Sequence, residues 1–122
     1  MSTIKANTLL HSDGSTTNPP SIPALDKRMA KAWVSFNQTS TQAIRSSYNI
    51  SSITDTGTGQ TQIATTTAIT QERVVTGLSK ASGFVSMLTL PTSTTDLGVF
   101  RCIHNDGTVS DFDYVGLTVF AT

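Results

Sequence analysis

Charged residues are scarce in this sequence. Lysine, arginine, aspartate and glutamate together make up 13% of the 122 residues, and the formal net charge is zero. A surface that follows nucleic-acid phosphates needs clustered lysine and arginine, so this balance argues against nucleic-acid binding. The only basic cluster is Lys27, Arg28 and Lys31, and its ordinary interpretation is a solvated linker.

Cysteine and long apolar runs are scarce as well. The single cysteine excludes an intramolecular disulfide. Cys102 stands within an apolar run, which favours a buried small side chain over a nucleophile. No stretch approaches the roughly 20 apolar residues of a membrane-spanning helix, and the N-terminus carries no apolar segment long enough for a signal peptide. We therefore expect synthesis in a reducing, soluble compartment and no membrane insertion.

Groups that perform acid–base or nucleophilic chemistry are few and dispersed. The only imidazoles are His11 and His104, and the only glutamate is Glu72. His104 and Asp106 have the residue types of a base and its orienting acid, but a histidine beside a turn aspartate is the simpler interpretation. The sequence therefore predicts a protein without enzymatic activity and without a cofactor.

Three aspartates, Asp106, Asp111 and Asp113, lie in one loop region. Their oxygens suit a hard cation such as calcium. The Asp-x-Asp-x-Asp-Gly pattern of a calcium loop is absent, so solvated turn carboxylates are the default interpretation. No metal site is predicted.

What the chain has in abundance is serine and threonine, at roughly 30% of residues, with apolar residues at 37% in a strand-like pattern. Threonine favours strands because its branched Cβ fits a pleated surface. Short strands at intervals of about ten residues are typical of a β-sandwich or barrel. The predicted strands cover residues 32–36, 42–48, 50–54, 60–67, 73–78, 84–90, 99–104 and 114–120.

Two connections between the predicted strands bear on the topology. Residues 42–54 read as two strands or as one bent strand. The last two strands flank the turn sequence Asn105-Asp106-Gly107-Thr108, which predicts a hairpin closed at Asp106-Gly107 or in the longer loop to Asp113. The fold class is all-β: a small antiparallel β-sandwich or barrel-like domain over residues 30–122, preceded by an extended arm over residues 1–29.

The arm carries three of the four prolines and few sizeable apolar residues. Because it cannot form a core of its own, we expect it to become ordered against a partner. The residues expected to anchor it are Ile4, Leu9, Leu10 and Ile22.

Two adjacent segments carry a family resemblance. Residues 30–37, AKAWVSFN, and 43–55, AIRSSYNISSITD, resemble a module of phage virion proteins of the tail-fibre type, common in phages of marine bacteria. The opening at residues 2–9 and the closing stretches at 99–108 and 115–120 resemble the same proteins. Many of those relatives carry the module within a longer fibre, whereas in this sequence it makes up most of the 122 residues.

The resemblance implies a virion component, made in the host cytoplasm and working as a homotrimeric tail fibre or spike that contacts other virion proteins and the host surface. A capsid decoration protein or a head fibre is the alternative within the class. A domain of about 90 residues also gains stability by burying apolar surface between chains. The residues expected in the core or trimer interface are Trp33, Phe36, Ile44 and Tyr48.

A freestanding carbohydrate-binding module is the alternative from a different class. Exposed aromatic rings beside aspartate, asparagine or arginine stack on sugars. The aromatic candidates are Trp33, Tyr48, Phe112 and Tyr114, for each of which a core role is favoured. The residues expected in a receptor-facing loop, with a host surface glycan as the expected partner, are Asn105, Asp106, Asp111 and Tyr114.

Overall fold

The computed structural model describes residues 2–16, 28–70, 72–79 and 82–121. Every regular element in these ranges is a β-strand, and none of their residues forms a helix long and apolar enough to cross a membrane. The strands are β1 (Ala32–Asn37), β2 (Ala43–Tyr48), β3 (Ile50–Gly57), β4 (Gln60–Thr65), β5 (Arg73–Ser79), β6 (Gly83–Thr89), β7 (Asp96–His104) and β8 (Val115–Ala121).

The strands form two four-stranded sheets. Sheet I has the order β2-β1-β8-β5, and sheet II has the order β3-β4-β7-β6. All neighbours within each sheet are antiparallel. The predicted all-β class is confirmed, and the two separate sheets make the domain a β-sandwich, with both sheets built from one chain.

The sandwich buries the side chains that alternate along its central strands. In β1, Ala32, Val34 and Phe36 are buried while Trp33 points outward. β4 and β8 show the same period of two, as expected for strands with one face on a core. The core comprises Ala32, Val34, Phe36, Ile63, Ile69, Leu97, Phe100, Cys102, Phe112, Val115, Leu117, Val119 and Ala121.

The chain passes from sheet I to sheet II at a single asparagine. Asn49 has a φ of 56°, in the left-handed region that asparagine tolerates better than most residues. Its side chain accepts a hydrogen bond from the Thr67 N–H at 2.7 Å and donates to the Lys31 carbonyl at 3.0 Å. These bonds fix the crossing, so residues 42–54 form two strands in different sheets.

The predicted hairpin between the last two strands is wrong, because β7 lies in sheet II and β8 in sheet I. The turn itself is present: the Gly107 N–H donates to the His104 carbonyl at 2.9 Å. The chain after this turn returns along β7 only as far as one bridge between Ile103 and Val109. It then crosses to the other sheet, and buried Phe112 lies in that crossing.

A buried polar network joins the two sheets near this crossing. The Gln38 side chain, 1% exposed, donates to the Thr61 hydroxyl at 3.0 Å and accepts from the Phe112 N–H at 3.1 Å. The Thr61 hydroxyl in turn donates to the Gln42 side-chain oxygen at 2.7 Å. Buried amides are tolerated when their bonds are made in this way, so the network fixes how β1, β4 and the crossing segment meet.

The arm has no strand within residues 2–16. A turn at residues 11–14 is closed by the Gly14 N–H, which donates to the His11 carbonyl at 2.8 Å. The proposed anchors Ile4, Leu9 and Leu10 are 89%, 64% and 48% exposed. Ile22 lies outside the described residues.

Candidate binding surfaces

The outer face of sheet I is the most distinctive surface of the domain. Arg45 is the only charged strand residue of this sheet besides Arg73, which pairs with inward-facing Ala121 at the end of β5. The other outward positions are aromatic, aliphatic, hydroxyl-bearing, amide-bearing or glycine. They are Trp33, Ser35, Asn37, Ala43, Ser46, Tyr48, Val74, Thr76, Leu78, Gly116, Thr118 and Phe120.

Three aromatic side chains form what we call the aromatic patch: Trp33, Tyr48 and Tyr114. Trp33 and Tyr48 are direct cross-strand partners on β1 and β2, which brings their Cβ atoms to roughly 5 Å of each other. The Tyr114 hydroxyl lies 3.9 Å from the position that a Cβ would take on Gly116. The three side chains are 38%, 39% and 46% exposed, respectively.

A second surface, which we call the apolar edge, lies where the two sheets meet at β5 and β6. Each of these strands is the outermost strand of its sheet. They touch across the sandwich, since a Cβ at Gly77 would lie 3.1 Å from the Val85 Cβ. The apolar edge consists of Val74, Leu78, Phe84, Met87, Leu88 and Leu90, which are between 40% and 76% exposed.

The apolar edge was not predicted from the sequence, although a signal exists. Between Arg73 and Asp96 the sequence contains one charged residue, Lys80. Edge strands of natural sheets are usually protected by charge, proline or a covering segment. Strands β5 and β6 carry only one charged residue, Arg73 at the start of β5, so protection by charge is weak along both edge strands.

The residues expected in the core or trimer interface separate in the structure. Phe36 is fully buried in the sandwich core. Ile44 shares the inward face with Phe36, but it lies on edge strand β2 and remains 38% exposed. Trp33 and Tyr48 point away from the core, into the aromatic patch.

The four residues expected in one receptor-facing loop also separate. Asn105 and Asp106 are exposed at the turn after β7. Asp111 instead accepts a hydrogen bond from the Gly59 N–H at 2.6 Å, which ties the loop to the turn between β3 and β4. Tyr114 belongs to the aromatic patch on the other sheet.

The pair His104 and Asp106 is occupied with structural contacts. The Asp106 carboxylate accepts a hydrogen bond from the Thr108 N–H at 2.9 Å, and this bond holds the pKa of Asp106 below its usual value. The His104 ring packs on the Phe112 ring with centroids 4.8 Å apart. The arrangement is that of a capped turn beside a core aromatic ring.

The structure places no three histidine, cysteine, aspartate or glutamate side chains of its described ranges close enough to hold a metal ion. Asp106, Asp111 and Asp113 all fall within those ranges. Asp106 and Asp111 each accept a hydrogen bond from a backbone N–H of a different turn, those of Thr108 and Gly59.

Two buried titratable groups are perturbed without forming a reactive site. Burial raises the pKa of the Cys102 thiol to about 11, against the effect of a hydrogen bond with Gln38. Burial also acts to raise the pKa of Asp96, but hydrogen bonds from the Thr92 and Gly98 N–H groups, at 2.9 and 2.8 Å, outweigh it. The pKa of Asp96 is therefore below its ordinary value, and its carboxylate organises the turn that precedes β7.

Comparison with protein-family models, with curated proteins and with solved structures gave no match for this chain. The function of the chain is therefore inferred from its two surfaces, its arm and its sequence resemblance.

Proposed function

We propose that this chain is a non-enzymatic structural protein of a phage particle: a short homotrimeric tail fibre or spike that is attached through its N-terminal arm and contacts the host surface. The observation that carries the proposal is the apolar edge. The resemblance of residues 30–37 and 43–55 supplies the biological setting, and the geometry of the surfaces supplies the mode of action.

The apolar edge supports self-association. Its most exposed members, Leu78 and Leu90, are 71% and 76% exposed, and burying a leucine side chain fully is worth roughly 1.5–3 kcal/mol. Six exposed apolar side chains on or beside two adjoining edge strands are a feature that monomers rarely leave uncovered. A further copy of the chain is a suitable cover, because its own edge is equally uncharged and no complementary charge is needed.

The arm supports attachment to a larger assembly. Ile4 and Leu9 are far more exposed than the strand residues of the core, so residues 2–16 gain little from the domain that follows. Such a segment gains its order on a partner, by lying along a neighbouring surface or adding a strand to a neighbouring sheet. Assembly and adhesion would then use different parts of one short chain.

The first test separates self-association from attachment. Sedimentation equilibrium is expected to give the wild-type protein the mass of a trimer. The double variant Leu78→Ser/Leu90→Ser is expected to be monomeric, because it places two hydroxyls in the apolar edge. The matched variant Ile4→Ser/Leu9→Ser makes the same kind of change in the arm, and it should keep the trimer mass.

The second test is incorporation into particles. The arm variant is expected to be missing from purified virions, despite its trimer mass. A monomeric wild-type protein would refute the trimer, and normal incorporation of the arm variant would refute the anchoring role. A copy number of several hundred per particle, by quantitative mass spectrometry, would favour the capsid decoration protein over the fibre.

A further inference from the structure

The aromatic patch differs chemically from the apolar edge. Trp33, Tyr48 and Tyr114 carry rings with polar tips, whereas the apolar edge is mainly aliphatic. Hydroxyl groups surround the patch: Ser46 and Ser35 are cross-strand partners one row along, and Thr118 pairs with Trp33 itself. This mixture of flat rings and short hydroxyls is able to stack on a ligand and hydrogen-bond to it at the same time.

The sheet fixes the spacing of the patch. Gly116 pairs with Ser35, so the Tyr114 hydroxyl lies over a position without a side chain, two residues from the row of Trp33. Two residues along a strand correspond to roughly 7 Å. The Arg45 guanidinium carbon lies 6.0 Å from the centre of the Tyr114 ring, close enough to support the ring from one side.

We infer that the aromatic patch binds a neutral polysaccharide, with sugar rings stacked on Trp33, Tyr48 and Tyr114. The apolar C–H faces of pyranose rings match the aromatic faces, and sugar hydroxyls match Ser35, Ser46, Thr118 and the Arg45 guanidinium. This inference refines the host contact of the proposed function, since it names the ligand class and moves the contact from the loop after β7 to sheet I.

Size and charge favour this occupant over others. With about 40% of each residue exposed, the three aromatic residues offer on the order of 250 Å², well below the roughly 800 Å² per partner of a stable protein interface. That area suits two or three sugar rings. A single-stranded nucleic acid would need a basic groove beside the rings, and the strands that carry the patch provide only Arg45. One arginine also gives no cluster for a polyanionic sugar.

The test is affinity electrophoresis of the full-length protein. Native gels contain hydroxyethylcellulose, galactomannan or dextran as neutral probes, and alginate as an acidic one. The wild type is expected to be retarded by at least one neutral polysaccharide. The variant Trp33→Ala/Tyr48→Ala should lose this retardation, with an apparent Kd about tenfold higher or more, whereas Trp33→Phe/Tyr48→Phe keeps two rings and should keep most of it.

Folding and mass controls make each outcome decisive. Protection of the buried Cys102 thiol verifies that a variant is folded. The inference is overturned by a wild type that no neutral gel retards, by retardation in alginate alone, or by an alanine variant that binds as well as the wild type. It is also overturned if the alanine variant loses the wild-type mass, because the patch is then a subunit contact. A monomeric wild type that binds through the patch would refute the trimer and support the glycan site.

Discussion

Gln38 is the residue at which a small chemical change should have the largest effect on folding without touching either surface. Its side chain is 1% exposed and bonds both to Thr61 of sheet II and to the backbone of Phe112. The substitution Gln38→Leu keeps a comparable volume, so little cavity is created. It leaves the Phe112 N–H without that acceptor and removes the donor to the Thr61 hydroxyl.

The magnitude follows mainly from the losses at Phe112 and Thr61, since the hydrogen bond between Gln38 and the Cys102 thiol is a weak one. A buried donor left without its acceptor costs about 1–3 kcal/mol, and the net loss of a neutral hydrogen bond costs about 1 kcal/mol. The Thr61 hydroxyl still donates to Gln42 at 2.7 Å, which limits the damage. We expect a destabilisation of about 2–3 kcal/mol, and a fall in Tm of roughly 10–20 °C for a domain of this size.

The assay is urea and thermal unfolding followed by the fluorescence of Trp33, the only tryptophan. All proteins are compared at one concentration, because association adds to apparent stability. The matched control is Gln62→Leu, since Gln62 is half-buried and its bond to the Asp96 carboxylate is long, at 3.5 Å. If Gln38→Leu lowers the free energy of unfolding no more than Gln62→Leu does, the buried network does not stabilise the packing of the two sheets.

Three further predictions concern single residues. Because burial raises the pKa of Cys102 to about 11, its reaction with a thiol reagent at pH 8 should be slow in the native protein and fast in urea. Equal rates would show that the thiol is accessible to the reagent in the folded protein. Because the folded pKa of Asp96 is below its ordinary value, its carboxylate contributes stability above about pH 4 that is lost as the pH falls through that lower folded pKa. Asp96→Asn should therefore flatten the dependence of unfolding free energy on pH below 4, and an unchanged slope would contradict this assignment. Gly59 has a φ of 65°, and a Cβ on it would lie 2.6 Å from the Ser110 carbonyl oxygen. Gly59→Ala should thus cost clearly more in urea unfolding than Gly107→Ala, which has a φ of 88° but open space around it; equal costs would show that the loop yields to the added methyl group.

The sequence predicted the strands well because their signals are local. Alternation in residues 32–36 placed Ala32, Val34 and Phe36 on the face opposite Trp33, and the structure has the same arrangement. The turn at Gly57 and Gly59 likewise follows from residues whose φ values are positive. Strand ends differ by a few residues, since ladder bonds to a distant partner decide where a strand stops.

Pairing between distant strands could not be predicted in the same way. Residues 99–104 and 114–120 are neighbours in sequence around a good turn, which favours a hairpin. In the structure β7 pairs with β4 and β6, and β8 pairs with β1 and β5. The inward faces of both strands gain more from covering the two sides of one core than from lying beside each other, and Phe112 fills the crossing between them. The local sequence pattern does not reveal this packing energy between distant strands.

The two surfaces could not be predicted because strand alternation identifies two faces but does not say which apolar face is core. Leu78 and Trp33 carry the same apolar signal as buried residues, yet both point outward from sheet I. Only the register shows that Trp33 lies beside Tyr48 and that Leu78 lies beside Gly116. The buried network of Gln38 could not be predicted either, since a glutamine after a strand normally predicts an exposed loop.

The core is separate from the outer faces, whereas the two surfaces meet at Gly116, which pairs with Leu78 and lies beneath the Tyr114 hydroxyl. Gln38 and Cys102 lie in the core, where substitutions report on folding. Substitutions at Leu78, on edge strand β5 of sheet I, report on association. Substitutions at Trp33, towards the opposite edge of that sheet, report on ligand binding. Because the core stabilises the fold, residues of the outer faces are free to vary without unfolding the domain. Contact with an uncharged partner requires only that these faces carry few charges. The near absence of charge on sheet I is consistent with the proposed roles in adhesion and assembly.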